Sequence, residues 1–234
     1  MYFSTAYVAG LREGMLYEDE LIRPAAFKNY YEETKFEAEV LVDARKTEMP
    51  ITIIRPGIVR GHSETGETVK FDGPYFFLNM IDRLKMLPVI PYIGNTAESL
   101  NVVPVDYVLD AAVYLSRLAE AEGETVHLTD PAPHPVEEIY RAMVLEMTGK
   151  PPKGRLPKKL AEIGMGVRPI RKYLQTEAET LDYFEWHASF DASNAQRLLK
   201  GSGIHCADFL ETLPAMVRFY QQHKNDTSKK IPIS

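Results

Sequence analysis

Two short runs of β-forming residues bracket one long helical stretch, and that order restricts the fold more than any other feature. Tyr2 to Val8 (YFSTAYV) carries no charge, and Ile51-Thr52-Ile53-Ile54 stays free of charge until Arg55-Pro56-Gly57 closes it. Both read as strands of the kind buried on two faces in a parallel sheet, and Pro-Gly ends the second. Between them, Asn29 is placed to cap a helix running from about Tyr30 to Thr47. Glu32, Glu33 and Glu37 suit the first half of that helix, and Arg45 and Lys46 its last turn, by the dipole argument. Strand, helix, strand is a parallel βαβ unit, so the chain reads as α/β.

The alternation continues. Residues 10–27 and 62–74 read as loops. Tyr75 to Met86 reads as a helix, Asn101 to Val105 as a strand, and Asp106, a helix cap, to about Ala121 as a helix. Thr125 to Thr129 reads as a strand, and Val136 to Thr148 as a helix stopped by Gly149. Beyond 150–157, which hold three prolines, the alternation weakens, with helices expected near 157–164, 193–200 and 207–224. The architecture expected is the later strands of a Rossmann-type parallel sheet with a small, mostly helical substrate lobe. The sheet domain covers 1–130, with 62–100 lent to the lobe. The lobe proper is 131–224, and 225–234 is a polar, frayed tail.

With 45% hydrophobic and 26% charged residues in 234, the chain can build a sizeable core. A net charge of −6 shows no basic face for nucleic acid. No apolar run reaches the ~18–20 residues of a membrane span, and Met1 to Gly10 lacks the features of a signal peptide. The expected location is the cytoplasm. A single cysteine, Cys206, excludes an internal disulfide and reads as a small buried hydrophobe. His127, His134, His187, His205 and His223 show no metal-ligand spacing, so no metal is expected. Phe71, Tyr75, Phe76, Phe77 and Met80 read as core that can also line an apolar substrate pocket, as does Trp186.

Tyr31 and Lys35 stand at i and i+4 on the long helix and share a face. An ammonium beside a phenol stabilises the phenolate and lowers its pKa. The phenol then exchanges a proton with a substrate oxygen while hydride moves at carbon, and the lysine can also bond a cofactor ribose. A second pair with this spacing, Tyr220 and Lys224, lies on a helix expected at the surface and carries no role. What separates the first pair is the strand ending at Ser4-Thr5, because ligands gather at the carboxyl ends of parallel strands. A Thr5 hydroxyl there can hold the substrate oxygen.

These segments resemble the extended short-chain dehydrogenase/reductases of the epimerase/dehydratase-like branch. Ser4-Thr5-Ala6-Tyr7-Val8-Ala9-Gly10 is similar to that family's catalytic hydroxyl strand, with Thr5 at the catalytic position. The segment Asn29 to Glu39 is similar to its Tyr-x-x-x-Lys helix. The segment Ile54 to Gly61 is similar to the stretch along the nicotinamide, and Asn101 to Val108 to the entry of a later helix. The resemblance implies Thr5, Tyr31 and Lys35 as catalytic residues. It implies contact of Tyr31, Lys35, Pro56, Gly57, Ile58 and Val59 with NAD or NADP, and Ser4, Tyr7 and His62 near a small-molecule substrate. Arg55 to Gly66 looks more like acyl-thioester and fatty-acyl reductases, which suggests an acyl or lipid-like carbonyl. Nucleotide-sugar epimerases and dehydratases, and a non-catalytic relative, stand as alternatives.

The family's opening strand and Gly-x-x-Gly-x-x-Gly turn find no match in this sequence. On that resemblance the chain is expected to be the later part of a longer polypeptide, or to assemble with further copies. By itself it is expected to bind NAD(P) poorly.

Overall fold

The computed structural model describes residues 1–93, 98–176 and 186–232. The chain folds as two compact units, Met1–Val59 with Asn101–Ala132 and Trp186–Ala207, and Arg60–Leu100 with Pro133–Glu185 and Asp208–Ser234. Residues 94–97 and 177–185, counted in the expected helical lobe, lie outside the described residues, as do 233–234 of the tail.

The first unit is built on a parallel three-stranded sheet. β1 (Tyr2–Phe3) pairs with β3 (Ile53–Pro56), which pairs with β7 (Thr125–Leu128), giving the order β1-β3-β7. All four residues of β3 and of β7 are buried, as two-sided coverage of a parallel sheet requires. A second parallel pair joins β2 (Gly14–Leu16) to β9 (Ala188–Phe190), inside a stretch read from sequence as loop. β4 (Ile58–Arg60) lies beside β6 (Val102–Pro104).

The helix between β1 and β3 is α1 (Tyr30–Asp43), one turn shorter than expected. Its start is the one read from sequence: Asn29 Oδ1 accepts the Glu32 amide at 3.0 Å. Glu32 returns a bond to the amide of Lys28 at 3.1 Å, close to the reciprocal pairing of a capping box. α3 (Val105–Leu115) and α7 (Ser193–Leu199) pack their apolar faces with Ile54, Val126 and Leu128 of the sheet. Pro104, not Asp106, is the residue that precedes α3.

The strand expected over Tyr2–Val8 stops at Phe3. Thr5 sits in extended conformation and its hydroxyl accepts the Tyr7 amide at 3.3 Å, opening a 3-10 turn over Ala6–Ala9. A short hydroxyl side chain that bonds its neighbouring backbone offers the chain an alternative to the ladder. Gly10 closes the turn at φ 57, where an added Cβ would meet Ala26 O at 2.6 Å.

The second unit is mainly helical. It contains α2 (Tyr75–Leu84), α4 (Val136–Thr148), α5 (Lys158–Gly166), α6 (Arg168–Leu174) and α8 (Phe209–His223), with a short parallel pair, β5 (Tyr92–Ile93) and β8 (Arg155–Leu156). Phe71, Tyr75, Leu78, Ile81, Ile139, Tyr140, Met143 and Met216 are almost wholly buried. α4 ends at Gly149 with φ 70, the left-handed stop its sequence indicated. Tyr220 on α8 is buried, not superficial: its hydroxyl bonds Asn79 Oδ1 at 3.0 Å, and Lys224 bonds Asp82 at 2.7 Å. That second Tyr/Lys pair therefore has a structural task.

Candidate active site

The candidate catalytic residues all lie in the first unit. Thr5 is buried at the end of β1 and begins the 3-10 turn, which packs against α1. On α1, Lys35 reaches back to the sheet and donates to the Phe3 carbonyl at 3.1 Å. Its ammonium lies 6.0 Å from the centre of the Tyr31 ring and 5.8 Å from that of Tyr2. Lys35 is thus anchored between the end of β1 and the phenol, on the face the i, i+4 spacing requires. Tyr31 is 58% exposed, so its hydroxyl is open to a ligand, whereas Tyr30 at 85% points further into solvent.

The phenol's electrostatics differ from the sequence expectation. Partial desolvation raises the Tyr31 pKa above the ordinary tyrosine value. The ammonium 6.0 Å from the ring centre does not reverse that. Tyr31 is accordingly a protonated phenol at neutral pH, the form that donates a proton.

The segment after β3 is held close to its neighbour. Gly57 donates to Leu128 O at 3.1 Å and Ile58 to Asn101 O at 2.9 Å. A Cβ at Gly57 would lie 2.7 Å from Asn101 Oδ1 and 2.9 Å from Asn101 O, so only glycine fits. Asn101 is itself fixed: Oδ1 accepts the Asp130 amide at 2.8 Å and Nδ2 donates to Asp130 O at 2.9 Å. Pro56 is buried, while Ile58 and Val59 are partly open. The Lys35 ammonium and the Tyr31 hydroxyl are of the types that can bond a ribose hydroxyl, whereas the space beside Gly57 is taken by Asn101.

Of the other sequence candidates, Ser4 is buried and its hydroxyl bonds Glu39. Tyr7 is packed against Trp186 and Phe190, with ring centres at 5.2 and 5.5 Å. His62 belongs to the second unit, where its Nδ1 accepts the Glu64 amide at 3.2 Å.

Beneath these groups lies a buried charged network that sequence reading missed. Arg55 is 3% exposed and uses all five of its N–H donors. Nε and one Nη2 hydrogen go to Glu39 Oε1 at 2.9 and 2.6 Å. The others reach Glu20 O at 2.9 Å, Glu18 O at 3.3 Å and His127 Nε2 at 3.2 Å. His127 therefore accepts at Nε2 and donates from Nδ1 to Asp191 O at 2.7 Å. Burial, then the Arg55 charge, push its pKa down to about 3, so the ring is neutral. Glu18 accepts the amides of His127 at 2.7 Å, Asn194 at 2.5 Å and Ala195 at 3.2 Å. Burial nevertheless raises its pKa to about 7. One signal was available in the sequence: Arg55 directly follows the uncharged run Ile51 to Ile54, so it needs an acidic partner indoors. Nothing in the sequence named Glu39 as that partner. Among the described residues, no group of three or more His, Cys, Asp or Glu is arranged to hold a metal ion. Among them, too, no helix is long and apolar enough to cross a membrane.

Comparison with known proteins bears on the family and the fold. Residues 1–112 match an NAD-binding family described as male sterility protein. Over 134 residues the chain is 32% identical to the non-canonical nonribosomal peptide synthetase cpsA of Aspergillus campestris, covering 56% of this chain and 12% of that protein. Over 82 residues it is 32% identical to the aldehyde reductase lnbA of Aspergillus flavus, covering 35% and 8%. The chain thus spans about a tenth of the length of the curated relatives it matches. Among solved structures it resembles the terminal R domain from the myxalamid PKS-NRPS biosynthetic pathway. The TM-score is 0.79 and the identity 25%, covering 97% of this chain and 58% of that one.

Proposed function

We propose, from the premise that this chain is an extended short-chain dehydrogenase/reductase of the thioester-reductase-like kind, that it serves an NAD(P)-dependent reduction of an acyl-thioester or similar lipid-like carbonyl. The observation that carries this is the anchoring of Lys35 between the Phe3 carbonyl, at 3.1 Å, and the Tyr31 ring, at 6.0 Å, beside the turn opened by Thr5.

When bound along Gly57 to Val59, the dihydronicotinamide supplies the hydride. Every other task falls to the chain. The Thr5 hydroxyl orients the substrate carbonyl oxygen. Tyr31 donates its proton to that oxygen as the new C–H bond forms. Lys35 stabilises the phenolate left behind and bonds the ribose. With a thioester, the hemithioacetal then expels a thiol and leaves an aldehyde. The larger polypeptides of the relatives suggest that the substrate arrives on another part of the same assembly.

The test is NAD(P)H oxidation by the protein at its natural length, supplied with simple acyl thioesters, with thiol and aldehyde measured as products. Tyr31→Phe should lower kcat by about 10²–10⁴-fold. Turnover of nucleotide sugars in place of thioesters would overturn the substrate class. An unchanged rate in Tyr31→Phe would overturn the proton donor.

A further inference from the structure

Lys28 carries a buried ammonium that the chemistry above does not use. It lies in the first unit, just ahead of α1, and its side chain is 3% exposed. Taking an ammonium out of water is costly unless charges and dipoles take the water's place. Three groups take part here. The ammonium sits over the Trp186 ring, 3.4 Å from its centre, where the ring quadrupole attracts a cation. It donates to Gly10 O at 3.2 Å. It pairs at 3.8 Å with Glu32, whose side chain is 1% exposed.

These groups come from separate segments. Gly10 closes the 3-10 turn that Thr5 opens. Glu32 stands in the first turn of α1, next to Tyr31, and also accepts the Lys28 amide at 3.1 Å. Trp186 arrives from the segment leading into β9. Its ring is itself oriented: Nε1 donates to Arg12 O at 2.9 Å, and Tyr7, inside the Thr5 turn, packs against it at 5.2 Å between ring centres. An apolar side chain of similar length would fill the same space without the desolvation cost, and would fasten none of the three.

We propose that Lys28 is a positioning residue: by joining Gly10, Glu32 and Trp186, its ammonium holds the Thr5 turn against the first turn of α1 and so sets the spacing of the Thr5 and Tyr31 hydroxyls. The clamp is a property of these contacts. That the spacing serves proton transfer to a carbonyl oxygen rests on the reductase reading. A misplacement of about 1 Å between reacting groups costs about 10²-fold in rate, so a loosened clamp reads out in turnover.

Two measurements on Lys28→Met, made in the protein at its natural length, test this. The first is amide hydrogen exchange. The Gly10, Glu32 and Glu33 amides, bonded to Tyr7 O, Asn29 Oδ1 and Asn29 O, should exchange about tenfold faster or more. The Ile53 and Gly57 amides, bonded to Glu124 O and Leu128 O, should keep their rates, because the opening is local. Should the single variant fail to fold, Lys28→Met/Glu32→Gln leaves no charge buried and keeps an acceptor for the amide of residue 28. The second measurement is thioester reduction. Lys28→Met should lower kcat and kcat/KM together, by about 10–10²-fold. In the Tyr31→Phe background the same substitution should cost less than about threefold, since groups that act as a unit are not additive. Exchange unchanged everywhere, or faster by the same factor at all five amides, would overturn the clamp whatever the protein reduces. A rate loss of equal size in both backgrounds, or one confined to KM, would overturn the positioning role. Local loosening in a protein that reduces no thioester would uphold the clamp and refute the reductase reading.

Discussion

Removing Glu39 should destabilise the first unit by about 3–5 kcal/mol, and the structure shows where that figure comes from. Glu39 and Arg55 are 0% and 3% exposed. The carboxylate receives two of the five guanidinium hydrogen bonds, at 2.9 and 2.6 Å, and also bonds the Ser4 hydroxyl. Hydrogen bonds to charged groups contribute about 1.5–3 kcal/mol each, so losing two gives about 3–6 kcal/mol. Breaking a buried ion pair by deleting one partner costs about 3–5 kcal/mol, because the remaining charge is left unpaired. The two routes agree. Glu39→Leu and Arg55→Met should each show this loss in urea unfolding. The double variant should lose clearly less than their sum, with a coupling of about 2 kcal/mol, since no charge then remains buried. Glu39 also lies one turn beyond Lys35 on α1, so the single variant should lower kcat by loosening the helix that carries Tyr31 and Lys35. Single variants costing under about 1 kcal/mol, or strictly additive losses, would refute the claim that this pair is desolvated and mutually dependent.

Three further outcomes follow from the same geometry. Gly57→Ala places a methyl 2.7 Å from Asn101 Oδ1, and should cost about 1–3 kcal/mol in denaturant stability and raise KM for the nicotinamide cofactor. Burial raises the Glu18 pKa from 4.5 to about 7. The folded state therefore binds a proton more tightly than the unfolded one. This contribution is complete below pH 4.5 and is lost as pH rises towards 7, on the order of 3 kcal/mol. Glu18→Gln should flatten that segment of the stability–pH curve measured by urea unfolding. Asn29→Ala removes the amide acceptor at 3.0 Å from Glu32 N, and should lower the thermal midpoint through a loss of about 1 kcal/mol.

What the sequence determined by itself was whatever is decided between near neighbours. Asn29 ahead of α1, Gly149 after α4, the β-branched run before Pro56 and the i, i+4 spacing of Tyr31 and Lys35 are local arrangements, and the structure keeps each. The α/β class followed from the order of such elements. The face shared by Tyr31 and Lys35 was legible because helix periodicity fixes it, whereas the strand end beside Thr5 was not. What only the tertiary structure decided was where distant partners meet. Gly14–Leu16 becomes a strand because Ala188–Phe190 runs beside it. Glu18, Glu39, Arg55 and His127 are charged or titratable side chains that the patterning rule would place in water. They are indoors because several separate segments bring donors and acceptors to the same point. The Tyr31 phenol follows the same logic: spacing sets which face it shares with Lys35, whereas its pKa depends on how much water the folded chain removes. Local free-energy terms are written in adjacent residues; desolvation and pairing depend on which remote groups arrive, and only the folded chain specifies that.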